Sequence, residues 1–205
     1  MRILVASCLL LLLVGCSHRP DEDLGHGYGR TGKFIYFNGK RIDQEGAHDL
    51  AEFAVAVRHK LTLATGVDAA SFKALSKNYS RDQNKVYYRW ISGPRFWVVE
   101  MPGADPETFE VLGLSLAKDK NHVWKQDSKV EGADPGTTKV MTSRVWKDDH
   151  NVWFYGNIVQ GADAATFGAL GDGHHYRDTN RVYWIFNVVK VVEGADPKTF
   201  KPKKR

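Results

Sequence analysis

The sequence predicts a mainly β protein with short helices, built from repeated antiparallel hairpin or meander units. Two short motifs alternate along the chain, and an internal repeat of this kind sets the fold class. The glycine that opens each copy of the second motif precedes the valine of the following copy of the first motif by 20, 20, 20 and 21 residues (66 to 86, 103 to 123, 132 to 152, 161 to 182). A unit of this length cannot bury an aromatic face alone, so neighbouring units must pack together.

The first motif predicts a β-hairpin. Its four copies are RDQNKVY (81–87), KDKNHVW (118–124), KDDHNVW (147–153) and RDTNRVY (177–183). Aromatic and β-branched residues on both sides favour strands, and Asp and Asn side chains can bond their own backbone and tolerate left-handed conformations in a turn. The predicted turn residues are Asp82, Asn84, Asp119, Asn121, Asp148, Asp178 and Asn180.

A calcium site is the rival interpretation of this motif. Calcium takes six or more oxygen ligands, whereas each copy offers two oxygens. A basic residue also precedes every Asp, and its charge opposes a cation (Arg81, Lys118, Lys147, Arg177). Apart from the adjacent His174 and His175, the histidines are scattered along the chain. We therefore expect no metal and no cofactor.

The second motif predicts a short helix. Its five copies are GVDAASF (66–72), GADPETF (103–109), GADPGTT (132–138), GADAATF (161–167) and GADPKTF (194–200). In residues 105–113 an Asp suits the N-cap, Pro106 the first helical position and Gly113 the residue past the end. Phe109 and Leu112 would then share one side of about two turns. The predicted helix caps are Asp68, Asp105, Asp134, Asp163 and Asp196. The units would stack as a solenoid-like array or curl into a propeller-like arrangement, and the sequence leaves that choice open.

The segment that returns from the first motif to the second varies in length. It is 17, 9, 9 and 12 residues long (86 to 103, 123 to 132, 152 to 161, 182 to 194). Variable length marks the part of a unit that tolerates insertion. Most aromatic residues should lie in the core. Trp90 and Trp97 cluster in the longest segment, and they are the candidate aromatic binding surface, suited to a glycan or a peptide.

The N-terminus predicts a lipoprotein signal peptide over residues 1–15. One Arg precedes a short apolar run that ends Leu-Val-Gly-Cys, which resembles a bacterial lipobox with Cys16 as the acylated residue. Cys8 falls inside the signal, so no disulfide is expected. Such a protein would be anchored by lipid in the bacterial cell envelope. Ser17 after the cysteine is typical of outer-membrane lipoproteins, facing the periplasm or the surface.

The remaining chain is predicted to comprise a flexible tether (16–31), a repeat domain (32–200) and a basic tail (201–205). The formal net charge is +5. Without Arg2 and the five basic residues from Lys198 onward, it falls to −1, so the basicity lies in the tail and nucleic acid is not expected as a partner. Residues 27–33 match the spacing of a phosphate-binding loop, but Phe34 stands where Ser or Thr is needed, and a Gly-rich linker is favoured.

The two motifs together resemble the DKNYY family, bacterial repeat proteins of which many are exported. The resemblance covers most of the chain after the signal, although His150 replaces the usual Asn. It implies the repeat architecture and no particular activity. We therefore expect a binding or structural module, not an enzyme, with the membrane and an envelope protein or glycan as partners. The alternative is an envelope enzyme, such as a glycan hydrolase, whose site is assembled from distant residues.

Overall fold

The computed structural model describes residues 19–42, 63–93 and 95–203, apart from the side chain of Arg95. These residues form five four-stranded antiparallel sheets in chain order, each a simple meander. The first sheet contains β1 (Glu22–Gly25), β2 (Tyr28–Thr31), β3 (Phe34–Phe37) and β4 (Lys40–Arg41). The second contains β5 (Lys73–Ala74), β6 (Tyr79–Arg81), β7 (Val86–Ser92) and β8 (Arg95–Glu100).

The last three sheets are shorter copies of the same plan. The third contains β9 (Glu110–Val111), β10 (Leu116–Lys118), β11 (Val123–Lys125) and β12 (Ser128–Lys129). The fourth contains β13 (Lys139–Val140), β14 (Val145–Lys147), β15 (Val152–Phe154) and β16 (Asn157–Ile158). The fifth contains β17 (Gly168–Ala169), β18 (His175–Arg177), β19 (Val182–Ile185) and β20 (Val189–Val191). The predicted repetition of antiparallel β units is confirmed.

Apolar clusters join each sheet to the next one in the chain. One cluster combines residues of the first and second sheets, another the second and third, a third the third and fourth, and the last the fourth and fifth. These contacts establish pairwise packing of consecutive sheets. They support neither the solenoid-like nor the propeller-like arrangement that the sequence left open.

The Val-aromatic pair of the first motif packs on both faces of its strand. Successive strand residues point to opposite faces. Trp153 lies in the cluster shared with the preceding sheet, whereas Val152 lies in the cluster shared with the following one. Trp124 and Val123 divide in the same way. Because each inner sheet is covered on both sides, the third strand of the unit needs an apolar residue at two consecutive positions.

The predicted short helices are absent from the described residues. Each second motif forms one isolated turn, as where the N–H of Phe167 donates to the carbonyl of Asp163 at 2.9 Å. The chain then enters the first strand of the next sheet instead of continuing the helix. Leu112 consequently lies just after β9 and not beside Phe109 on a helical face. Strand pairing extends the backbone here, since Glu110 and Val111 pair with Lys118 and Ala117 of β10, and this outweighs the local capping preference.

The residues predicted as a flexible tether are partly structured. Residues 22–31, placed by the sequence in that tether, form β1 and β2, and Tyr28 is buried against the second sheet. Residues 22–31 therefore belong to the first four-stranded sheet. The signal peptide and Cys16 lie outside the described residues, as do the last two residues of the basic tail.

Length differences between units are absorbed by hairpins. The 17-residue return segment is a long β7–β8 hairpin with six paired positions, from Tyr87 opposite Glu100 to Ser92 opposite Arg95. The corresponding pair in the third sheet has two paired positions. The extra residue of the last unit falls in the turn between β17 and β18, where Gly171 and Gly173 take φ angles of 87° and 82°. Only glycine adopts such angles freely, so this turn can be enlarged without strain.

Candidate functional site

The aspartate of the first motif is buried in all four copies. Asp82, Asp119, Asp148 and Asp178 are between 1 and 3 % exposed. One carboxylate oxygen of each accepts the backbone N–H groups two and three residues later, at 2.6–2.8 Å. These bonds close the hairpin turn between the second and third strands of the unit, as the sequence predicted.

The other carboxylate oxygen holds two more distant groups. In the third sheet it accepts the backbone N–H of Asp105 at 3.1 Å and the indole N–H of Trp124 at 2.8 Å. In the fourth sheet the donors are Asp134 N–H and Trp153 Nε1, and in the other two sheets a tyrosine hydroxyl replaces the indole. Each buried carboxylate thus receives four donors and links both motifs to the aromatic residue of the third strand.

This geometry argues against a cation at the first motif. Each carboxylate oxygen faces two N–H or O–H donors, whose positive ends would repel a metal ion. Within residues 19–42, 63–93 and 95–203, no three side chains of the types His, Cys, Asp or Glu gather as metal ligands. The carboxylates are structural acceptors that are fully engaged by the fold.

The fourth position of the motif, usually Asn, contributes through its backbone. The N–H groups of Asn84, Asn121 and Asn180 donate to the aspartate, while their side chains are exposed. Their φ angles are not positive, so the left-handed conformation is not needed. His150 donates its N–H in the same way at 2.8 Å. This explains why His can stand where Asn is usual.

The aspartates of the second motif cap isolated turns, not the helices that were predicted. Asp163 accepts the N–H of Ala165 at 3.1 Å and the hydroxyl of Thr166 at 2.6 Å. The Thr166 hydroxyl oxygen in turn accepts the N–H of Thr179 at 2.9 Å, which joins the two motifs a second time. Equivalent bonds surround the remaining four predicted caps, Asp68, Asp105, Asp134 and Asp196.

Hydrogen bonds also stabilise the charged form of these caps. An ion pair with Lys120 and the N–H of Thr108 lower the pKa of Asp105 to about 2. Bonds from hydroxyl and N–H groups likewise lower the pKa of Asp68 and Asp134. For the buried Asp178, burial acts to raise the pKa, but the donors from Asp163, Tyr183, Asn180 and Arg181 together leave it lowered.

The basic residue before the buried aspartate connects one unit to the next. Nζ of Lys118 donates to the carbonyl of Pro135 at 3.2 Å, and Nζ of Lys147 donates to the carbonyl of Ala164 at 2.6 Å. Arg177 reaches the carbonyl of Pro197 at 2.8 Å. Arg30 makes the equivalent bond to the carbonyl of Ala69, which identifies β2 as a divergent copy of the motif that lacks the aspartate.

Trp90 and Trp97, the predicted aromatic binding surface, lie close together on the β7–β8 hairpin. Trp97 is 8 % exposed and belongs to the apolar cluster between the second and third sheets. Trp90 is half-buried and packs against the same cluster, stacks on Trp97 with ring centroids 6.5 Å apart, and donates its indole N–H to Asp127 at 3.2 Å. Both indoles therefore contribute to the contact between the two sheets.

A different aromatic surface lies at the ends of the fourth and fifth sheets. Tyr155 and Phe186 occupy the turns between the third and fourth strands of these sheets and are 45 % and 46 % exposed. The guanidinium of Arg144 lies 5.6 Å from the centroid of each ring and donates to the carbonyl of Phe186 at 3.0 Å. His174 and Trp184 continue the row, 5.2 Å and 6.1 Å from the Phe186 ring. Sequence reasoning missed this surface because its members lie in different units.

Tyr155 has an unusual backbone conformation. Its φ is 51°, and Gly156 follows at 85°. Two consecutive positive φ angles define the hairpin turn that favours Asn-Gly, and a bulky residue is rare at the first position. Tyr155 therefore keeps its ring in the turn despite a conformational cost.

A model described as the DKNYY family matches residues 95–205, which is more than half of the chain. No curated protein and no solved structure matches. No helix in the described residues is long and apolar enough to cross a membrane.

Proposed function

The chain belongs to the DKNYY family, and from this premise we propose that it is a lipid-anchored protein of the bacterial envelope whose repeated sheets serve as a binding module. The observation that carries the proposal is the full engagement of the repeated aspartates. Asp148, for example, accepts hydrogen bonds from four donors and is 1 % exposed. The repeated aspartates therefore stabilise the fold and are not available to a ligand. Binding is then left to the exposed surface of the sheets.

The exposed residues suit recognition. Aromatic rings at the ends of the fourth and fifth sheets stand beside cations, and rings of this kind supply large contact areas at small entropic cost. The rigid sheets beneath hold these rings in place. A module of this kind would bring an envelope ligand to the membrane that carries the anchor.

The anchor is tested by metabolic labelling with palmitate. Cys16→Ser should abolish labelling, because the acyl chains of a bacterial lipoprotein attach to the lipobox cysteine. Cys8→Ser is the matched control, since Cys8 lies within the proposed signal and should leave labelling unchanged. Labelling that persists in the Cys16→Ser chain would refute the anchor.

The binding role is tested by co-sedimentation of the detergent-purified full chain with isolated, lipid-extracted envelope material. We expect saturable retention in the pellet and no soluble fragments released from the material. Release of soluble fragments that grows with time would instead identify an enzyme, and absence of retention would refute a binding module.

A further inference from the structure

We infer that the surface formed by Arg144, Tyr155, Phe186, His174, Trp184 and Lys190 binds an acidic polysaccharide. The inference rests on the proposed function and specifies the ligand of the module. Exposed aromatic rings that stand together on a protein surface mark a candidate binding site.

The first support is the alternation of rings and cations. Lys125 Nζ lies 6.0 Å from the Tyr155 ring, Arg144 lies between the rings of Tyr155 and Phe186, and Lys190 Nζ lies 5.9 Å from the Trp184 ring. A polymer of uronic acids has the complementary pattern, one apolar sugar face and one carboxylate in every residue. Sugar faces would stack on the rings while carboxylates meet the cations.

The second support is the unused bonding capacity of Arg144. Its side chain is exposed, and among the described residues it donates to a single acceptor, the carbonyl of Phe186. No described carboxylate forms an ion pair with it. A guanidinium with free N–H groups between two aromatic walls can bind a carboxylate through two parallel hydrogen bonds.

The third support is the balance of charge. Two carboxylates lie in turns at this end of the sheets, Asp127 and Asp172, and both are already hydrogen-bonded. Asp127 accepts the indole N–H of Trp90 at 3.2 Å, and Asp172 contacts the His175 ring at 2.5 Å. Three cations stand beside the aromatic rings, Lys125, Arg144 and Lys190, so cations outnumber these carboxylates.

The fourth support is that the aromatic position recurs in two neighbouring units. Tyr155 and Phe186 both lie in the turn between the third and fourth strands, in the fourth and fifth sheets. Two neighbouring rings suit a polymer, because successive sugars can each stack on one ring.

The experiment is calorimetric titration of the detergent-purified full chain with polygalacturonate. Dextran serves as the uncharged polymer and poly-L-glutamate as an acidic polymer without sugar rings. We expect binding to polygalacturonate, at least about tenfold weaker binding to poly-L-glutamate and none to dextran. Equal binding to poly-L-glutamate would overturn the assignment to a glycan, and tighter binding to vesicles of anionic lipid would assign the surface to a membrane.

Variants locate the site. Arg144→Gln should weaken polygalacturonate binding about tenfold, the loss expected for a charge-assisted pair. Lys139→Gln, an exposed residue of β13, removes the same charge elsewhere and should leave binding unchanged. If the two variants bind alike, the site lies elsewhere.

Tyr155→Asn distinguishes the contribution of the ring to binding from its contribution to stability. Asn suits the positive φ at this position, so the melting temperature should not fall. Binding should nevertheless weaken about fivefold through loss of the stacking ring. Unchanged binding would exclude Tyr155 from the site.

These outcomes are distinct from a failure of the proposed function. A chain that is retained by envelope material but does not bind polygalacturonate would remain a binding module with another ligand. A chain that binds polygalacturonate and releases reducing ends would keep the site and lose the non-catalytic role.

Discussion

At the scale of single residues, the buried aspartate of the first motif determines whether a unit can form. Its two oxygens accept hydrogen bonds from four donors, which belong to three segments: the turn that follows it, the second motif and the third strand. A neutral side chain of the same shape cannot accept on both sides. The motif is therefore specified by a carboxylate and not simply by a preference for turns.

Asp148→Asn tests this role. In either orientation the amide NH₂ would face two N–H donors, either those of His150 and Asn151 or those of Asp134 and Trp153. We expect the free energy of unfolding to fall by about 2–4 kcal/mol, because buried donors lose a charged acceptor. Urea denaturation followed by tryptophan fluorescence measures the change.

The neighbouring Asp149 provides a matched control. It is exposed, and its backbone N–H donates to the Thr137 hydroxyl oxygen, a bond that does not depend on the side chain at position 149. Asp149→Asn should therefore change stability by less than about 0.5 kcal/mol. Similar losses for the two variants would contradict the assigned role of Asp148.

At the scale of elements, each sheet is held to the next by packing and by a basic side chain. The stacked indoles of Trp146 and Trp153, 4.8 Å apart and nearly parallel, lie in the cluster between the third and fourth sheets. Lys147 then reaches across to the turn that opens the fifth sheet. Its ammonium donates to the carbonyls of Ala164 and Phe167.

Lys147→Met tests the contribution of that ammonium. The variant keeps an apolar stem but removes the bonds to the carbonyls of Ala164 and Phe167, at 2.6 Å and 3.1 Å. We expect a loss of about 1–3 kcal/mol in the free energy of unfolding, measured by urea denaturation. Lys139→Met is the control, because Lys139 pairs opposite Lys147 in the same sheet and is exposed. An equal loss in the control would contradict a specific role of the Lys147 ammonium.

At the scale of the whole molecule, the repeated carboxylates make stability depend on pH. The pKa of Asp105 is lowered to about 2 and that of Asp178 is also lowered, from an ordinary value of 3.8. A lowered pKa in the folded state stabilises the protein above the unfolded pKa, and this contribution is lost as the pH falls through the folded value. Several units contribute in the same direction.

We therefore expect the free energy of unfolding to decline as the pH is lowered from 3.8 toward about 2. Urea denaturation at a series of pH values measures the decline. Asp105→Asn should make the free energy of unfolding less dependent on pH in this range, because the variant lacks one carboxyl group whose pKa is lowered in the folded state. A free energy of unfolding that stays constant or rises on acidification would contradict the role of these carboxylates.

The sequence by itself determined the repeat, its boundaries from Gly66 onward and the hairpin at each first motif. These features depend on contacts within a few residues, such as the bonds from Asp119 to the N–H groups of Asn121 and His122. Turn chemistry of this range can be predicted from residue types and spacing. The family resemblance rests on the same short motifs and is confirmed.

Only the tertiary structure decided the rest. It replaced the expected helices by isolated turns, because pairing with β10 extends the chain after Phe109. It turned residues 22–31 from a tether into strands, and it buried Trp97 while exposing Tyr155 and Phe186. The physical reason is common to these cases. Burial depends on which neighbouring sheet covers a side chain, and that contact joins residues about thirty positions apart that no local pattern connects.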